Sequence, residues 1–258
     1  MITKKIYSIF KQGSRTYFYS SLFFPAKVKD DVFTLYSFVR TADDYVDQVP
    51  AQVKSFRRFR KEYEAALSGK PCQNEIIQAY VSLAIRKNFD PQWTEAFLDA
   101  MESDLNTHTY RTLEKTISYM HGSAEVIGLM MAKIMDLPPS AYQYAKKLGR
   151  AMQYVNFIRD IAEDLELGRN YFPQTEMKKY GLASLSYQHT SHNQPNYKRF
   201  MAAQLQRYNA WQEMAATGFK LIPRRYLIPI KTASDLYNWS ASQIAKDPMI
   251  VYQKKMKP

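Results

Sequence analysis

The stretch from Ala141 to Leu167 limits the fold more than any other, because it holds no proline and a single glycine, Gly149. A run of that length without a breaker predicts a helix of several turns. Gln153, Asn156, Asp160 and Asp164 recur along it at steps of three, four and four, which aligns them in one row on one face. Val155, Phe157, Ile158, Ile161 and Ala162 press in beside that row rather than opposite it. Two carboxylates one turn apart repel by roughly a few tenths of a kcal/mol on an open surface, and by more where water is scarce. Such a row calls for a cation.

The device occurs twice. RTADDYVD, Arg40 to Asp47, closes a predicted helix over Lys27–Gln48, with Asp43 and Asp47 four apart and Asp44 beside them. Stepping back by helical turns adds Arg40 and Tyr36 to the row. Carboxylates four apart lie about 6 Å from each other along a helix, so both can address one ligand cluster. Two acidic faces, each with an arginine, suit a site for metal ions and a polyanion. Oxygen-only ligation favours Mg²⁺, which keeps waters and shares carboxylates with phosphate oxygens. One Asp pair on a helix is usually a solvated face. Two pairs, each set among aromatic and aliphatic residues and sharing its stripe with Asn, Gln or Arg, are poorly explained that way.

Composition narrows the classes. The chain has 258 residues, enough for a substantial core, and 46% are hydrophobic. Eight glycines leave few tight turns and argue against a β-rich or Rossmann architecture. Cys72 is the only cysteine, which excludes an internal disulfide and a cysteine-built metal site. The start, MITKKIYSIF, is too short and polar for a signal peptide, and the longest apolar run, Val126 to Met135, is interrupted by Lys133. A cytoplasmic protein is expected.

The formal net charge of +12 and a pI near 9.5 favour anionic partners. Much of that charge is scattered or terminal, as in Lys4, Lys5, Lys11, Lys254, Lys255 and Lys257. No helix-turn-helix, zinc-finger or RNP-type pattern is present, so no nucleic-acid partner is expected. A basic surface resting against anionic membrane lipid is the more economical reading. Nothing in the sequence bears on oligomeric state.

In chain order, a short amphipathic segment over Ile2–Gln12 precedes GSRTYFYSSLFFP, where Ser14, Arg15 and Thr16 could hold a phosphate. Further helices are expected over Ala51–Leu67, Asn74–Asn88, Pro91–Asn106, Tyr110–Met135 (beginning near Thr112), Tyr197–Leu221 and Arg224–Lys246, the last with Pro229 in its first turns. Gly122, Ser123, Ala124 and Gly128 allow either close helix contact or a groove for a chain-like ligand, and Met130, Met131 and Met135 read as core. A second amphipathic stretch spans Glu176–Tyr180, and the polar run Ser184–Pro195 is expected to be a mobile insert. The basic tail VYQKKMKP could cover the site or stay loose. With about nine helices and no convincing strand, the expectation is one all-α domain spanning the whole chain.

RTADDYVD, NFIRDIAED and GRNYFP together resemble the paired aspartate motifs of the squalene/phytoene synthase family, the head-to-head prenyl synthases. The likeness runs from the SRT segment through Tyr119–Gly128 to DLYNW, and its pattern is nearer to bacterial and archaeal phytoene synthases than to eukaryotic squalene synthases. The resemblance implies an antiparallel helix bundle of the isoprenoid synthase type around a central cavity. It implies condensation of two prenyl diphosphates, carbon 1 to carbon 1′, through a cyclopropyl diphosphate, most readily two geranylgeranyl diphosphates to phytoene, with farnesyl diphosphate as the alternative substrate. Asp43, Asp44, Asp47, Asp160 and Asp164 would hold Mg²⁺, or Mn²⁺ in its place, against the diphosphates. Asn156 would join the metal ligands, with Gln153 lining the cluster. Ser14, Arg15, Arg40 and Arg159 would take phosphate oxygens, with Tyr36 and Arg169 close by. Tyr119 and Tyr237 would lie near the reacting carbons or the leaving diphosphate.

The chemistry agrees with the likeness. Breaking an allylic carbon–oxygen bond leaves developing negative charge for metal ions and arginine to stabilise, and a carbocation that needs a dry, aromatic pocket. The 20 Tyr and 14 Phe make such a lining easy to build. NADPH is not expected; no Gly-rich dinucleotide motif is visible, although the family uses none for reduction. His121 and Glu125 stand where many relatives carry an aromatic residue and a glycine, and Gly13 where some carry histidine. A di-iron bundle would need Glu three residues ahead of a histidine, which none of the four histidines has. A non-catalytic scaffold relative would be expected to lose one acid row, and both are intact.

Overall fold

Local signals start most of the helices. In a computed structural model that describes residues 2–253, Thr3 accepts from the Ile6 amide and opens α1 (Lys4–Gly13), and Ser14 accepts from the Tyr17 amide and opens α2 (Arg15–Ser21). α3 (Ala26–Asp47) follows Pro25, then α4 (Val53–Leu67). Asn74 caps α5 (Glu75–Arg86), and Asp90 with Pro91 starts α6 (Pro91–Ser103). A two-residue strand, β1 (Thr109–Tyr110), precedes α7 (Leu113–Met120). A widened π-helical turn, His121–Glu125, carries α7 into α8 (Val126–Ile134). α9 (Tyr142–Arg159) and α10 (Ile161–Glu166) come next, then β2 (Asn170–Pro173), α11 (Gln174–Lys179), α12 (Tyr187–His192), α13 (Gln194–Ala216) and α14 (Arg224–Lys246). Lys254, Lys255 and Lys257 of the basic tail lie outside the described residues.

α9 is the axis of the bundle, packed against α8, α13 and α14. Glycine makes the closest of these approaches possible: a Cβ on Gly128 would run into the Ala145 carbonyl, and one on Gly149 into the Ala124 carbonyl. The small residues of 122–128 therefore serve close helix contact. The core runs from Ile6 to Val251 as one cluster and is rich in rings, among them Phe38 and Tyr80 stacked at 3.7 Å. Met130 and Met135 are buried in it.

Three expectations change. The stretch 141–167 is not one continuous helix: Asp160 leaves helical geometry at φ −99°, ψ 17° and joins α9 to α10. A short parallel sheet pairs β1 with β2, because GRNYFP runs extended past the start of α7 and the Asn170 amide finds the His108 carbonyl. The polar run 184–195 is folded as α12, because Ser186 accepts from the His189 amide. With these breaks, the described residues hold fourteen α-helices.

Candidate functional site

The first acid row lies on the last turns of α3. Arg40 spans its base, donating from Nη1 to Asp43 at 3.0 Å and from Nη2 to Asp44 at 2.6 Å. The second row runs from α9 into α10, and there Arg159 grips Asp160 with both Nε (2.7 Å) and Nη2 (2.6 Å). The two rows face each other. Arg169, which follows the second row, donates to Asp47 Oδ1 at 2.5 Å and to the Val46 carbonyl at 2.8 Å, both on the first. Its own amide donates back to the Asp164 carbonyl at 2.7 Å. This buried guanidinium closes the gap between the rows.

The acids still outnumber the positive charge available to them. Burial, then Asp47, pushes the Asp43 carboxyl up to about 7, against the pull of Arg40. Burial, Asp160 and Asp47 raise Asp164 well above the usual carboxylate range. That Asp47 acts on both shows all three carboxylates in one field.

A further carboxylate joins them that sequence reasoning missed. Asp104 is buried at the end of α6, accepting from the Tyr119 hydroxyl at 2.6 Å and from the Tyr171 hydroxyl at 3.1 Å. Burial lifts it to about 6, with Tyr119 and Arg169 opposing and Asp47 adding to the rise. Its two tyrosines belong to a ring wall: Tyr119 and Tyr171 stack at 5.1 Å, Phe157 and Tyr171 at 4.2 Å, and Tyr110 lies 5.4 Å from Tyr119. The available signal was positional. Asp104 falls three residues after Met101 and seven after Phe97, on the apolar stripe of α6 where a charge is out of place.

The remaining residues divide. Tyr237 on α14 is buried with its ring 5.7 Å from Tyr17 of α2, and burial raises its hydroxyl while Arg159 opposes the shift. Tyr36 stacks on Phe10 at 3.9 Å and reaches Gly13, where a Cβ would collide with its hydroxyl; the tyrosine fills the space that a larger residue at 13 would need. Gln153 is half-buried on α9. Ser14 is occupied as the cap of α2, and Arg15 is exposed at the start of that helix and joins neither row in an ion pair.

Among the described residues, no three His, Cys, Asp or Glu side chains draw together tightly enough to hold an ion unaided. The arrangement nevertheless fits one that arrives with a polyanion. The donors are all oxygen, and the Asn156 side-chain oxygen, one turn before Asp160, is buried with no hydrogen-bond partner. Several carboxylates in one field lack a counter-charge. No helix among the described residues is long and apolar enough to cross a membrane.

A family model described as squalene/phytoene synthase matches residues 10–257. Phytoene synthase of Rhodobacter capsulatus is 28% identical over 242 residues, covering 92% of this chain and 71% of that protein. The 15-cis-phytoene synthase of Pantoea ananas is 28% identical over 237 residues, covering 87% and 76%. Among solved structures, squalene synthase HpnC from Alicyclobacillus acidocaldarius superposes with a TM-score of 0.81 at 20% identity, covering 96% of this chain and 94% of that one. A dehydrosqualene synthase solved with a ligand gives 0.83 at 22%, covering 93% and 85%. These likenesses carry the all-α bundle.

Proposed function

The chain belongs to the squalene/phytoene synthase family, and from that premise we propose that it is a prenyltransferase joining two prenyl diphosphates head to head. The substrate reading is two geranylgeranyl diphosphates and the product phytoene, supported by the phytoene synthases among its relatives. The observation that carries the reading is the pair of facing acid rows tied across by Arg169, with Asp43 and Asp164 short of positive charge.

In the first half-reaction the allylic carbon–oxygen bond of one substrate breaks and its electron pair leaves with the diphosphate. Arg40, Arg159 and Arg169 are placed to receive those oxygens by exchanging a carboxylate for a phosphate partner. Asp43, Asp44, Asp47, Asn156, Asp160 and Asp164 would hold Mg²⁺ or Mn²⁺, which supplies positive charge against the departing group. The C1 cation is attacked by the 2,3 double bond of the second substrate, and loss of a proton closes the cyclopropane. The second diphosphate then leaves, the ring opens to the 1–1′ bond, and a second proton is lost. Two diphosphates and two protons depart in all, so phytoene needs no reductant. The Tyr119–Tyr171–Phe157 wall offers ring faces to the cation, while Asp104 holds both tyrosine hydroxyls.

Contact with anionic membrane belongs to the same reading, since the product is insoluble in water and the chain is strongly basic. The test is incubation of the purified protein and Mg²⁺ with each prenyl diphosphate, with and without NADPH, followed by product mass spectrometry. Phytoene from the twenty-carbon substrate without reductant is expected. A hydrocarbon made only from farnesyl diphosphate would move the protein to the dehydrosqualene or squalene branch, and no pyrophosphate release above an Asp43→Asn control would overturn the reaction.

A further inference from the structure

The basic charge is not spread evenly. Residues 1–29 include six Lys or Arg and no Asp or Glu, and residues 214–234 include four Lys or Arg and again no acid. These segments are not distant in space: α2 packs against both α1 and α14. The acids that follow lie at their borders: Asp30 is half-exposed, Asp31 is buried against Arg86 at 3.0 Å, and Asp235 pairs with Lys231 at 2.6 Å. One corner of the molecule is therefore built from acid-free segments.

The same corner shows large apolar side chains to water. Around the turn from α2 to α3, Tyr19 is 60% exposed, Leu22 43% and Phe23 62%, although Phe18, Ser21 and Phe24 beside them are buried. An isolated exposed hydrophobe needs no explanation, but three on one firmly anchored turn form a tip. The anchor is Phe24, whose ring lies 6.4 Å from Tyr226 of α14. Arg225 covers Tyr226 at 4.6 Å, and exposed Lys27 follows Pro25 by two residues. Apolar tip and cations thus share one edge.

We propose that this corner docks the protein on an anionic bilayer, with Tyr19, Leu22 and Phe23 entering the head-group region and Lys27 and Arg225 on the lipid phosphates. An apolar tip rimmed by cations has the charge and shape of an interfacial anchor. α2 and α14 also carry Tyr17 and Tyr237 beside the acid rows. Tyr237 is twelve residues from Arg225, about 18 Å along the helix, so docking would hold the site within a short reach of the lipid. The proposal deepens the membrane contact suggested above. It draws on the proposed reaction only for its purpose, delivery of an insoluble product, so binding and turnover can fail separately.

The test is co-sedimentation of the full chain with vesicles of phosphatidylcholine alone or with added phosphatidylglycerol. The protein should sediment with the anionic vesicles, lose binding as salt rises, and stay in solution with the neutral ones. Lys27→Glu with Arg225→Glu should lower partitioning at least tenfold, and Phe23→Ser severalfold, while Ile85→Ser, an exposed apolar control on α5, should change nothing. Circular dichroism verifies that each variant is folded, and detergent-assayed turnover should be equal in all. Absence of binding to anionic vesicles, equal binding to neutral ones, or binding that survives both corner variants would each overturn the proposal.

Discussion

Two carboxylate sites, one buried around Glu125 and one half-buried at the acid rows, are treated in opposite ways. Glu125, on the π-helical turn, is almost wholly buried and surrounded by basic side chains: Arg150 donates through two nitrogens, the His121 ring lies at 3.1 Å and Lys146 at 3.6 Å. Asp43, Asp47, Asp104 and Asp164 share a smaller supply, with Arg40 and Arg169 divided among them, and three of the four are pushed toward protonation. A carboxylate that serves the fold carries its full complement of partners within the fold. The acid rows are left short of positive charge, at some cost in stability, as the proposed metal and diphosphate site requires.

The comparison breaks first at the acid rows. Asp43→Asn or Asp160→Asn should cut turnover by roughly a thousandfold, about 4 kcal/mol of transition-state stabilisation, while the helical circular-dichroism signal is unchanged. Near-normal pyrophosphate release from either variant would place the chemistry elsewhere. Glu125→Gln should do the reverse. Leaving Arg150 without its partner charge should cost about 3 kcal/mol of stability, lowering Tm by roughly 6–12 °C, with turnover of the folded fraction within a few-fold of wild type. Thermal unfolding alongside an active-site titration separates the two effects.

Asp104 stands between the clusters, fully hydrogen-bonded like Glu125 yet inside the field of the acid rows. Asp104→Asn keeps the shape but turns an acceptor into a donor facing a tyrosine hydroxyl. A fall in kcat of about tenfold to thirtyfold with KM little changed, roughly 2 kcal/mol, is expected if the carboxylate holds the ring wall in place. A rise in KM alone would assign it to substrate binding.

What could be read beforehand follows the same division. The acid rows were legible because periodicity alone aligns Asp160 with Asp164 and Asp43 with Asp47. That Arg169 ties the rows was not, because the bond to Asp47 joins residues 122 positions apart in the chain. Asp104 was hidden for a related reason: its partners come from α7 and β2, and β2 forms only once the GRNYFP segment pairs with β1. The break at Asp160 was equally hard to see, since NFIRDIAED holds neither Gly nor Pro to mark it. At the break the Asp160 carboxylate is held twice by its chain neighbour Arg159.

The smallest effect sharpens the comparison most directly, because it reads the charge shortage itself. Asp43 and Asp104 are raised from 3.8 to about 7 and about 6, and Asp164 is raised as well. A carboxyl whose folded pKa lies above its unfolded value favours the fold while protonated. Its contribution is complete below pH 3.8 and is lost as pH rises through the folded value. The ligand-free protein should therefore lose a few degrees of Tm between about pH 5 and pH 8 from this cluster. Asp43→Asn, which cannot ionise, should flatten that slope and be the more stable protein at pH 8, although it is the less active one. Mg²⁺ with inorganic diphosphate should restore the wild-type Tm at pH 8 and do much less for the variant, because the ligand supplies the charge the rows lack. Equal slopes in wild type and Asp43→Asn would mean that the acid rows are not short of charge after all.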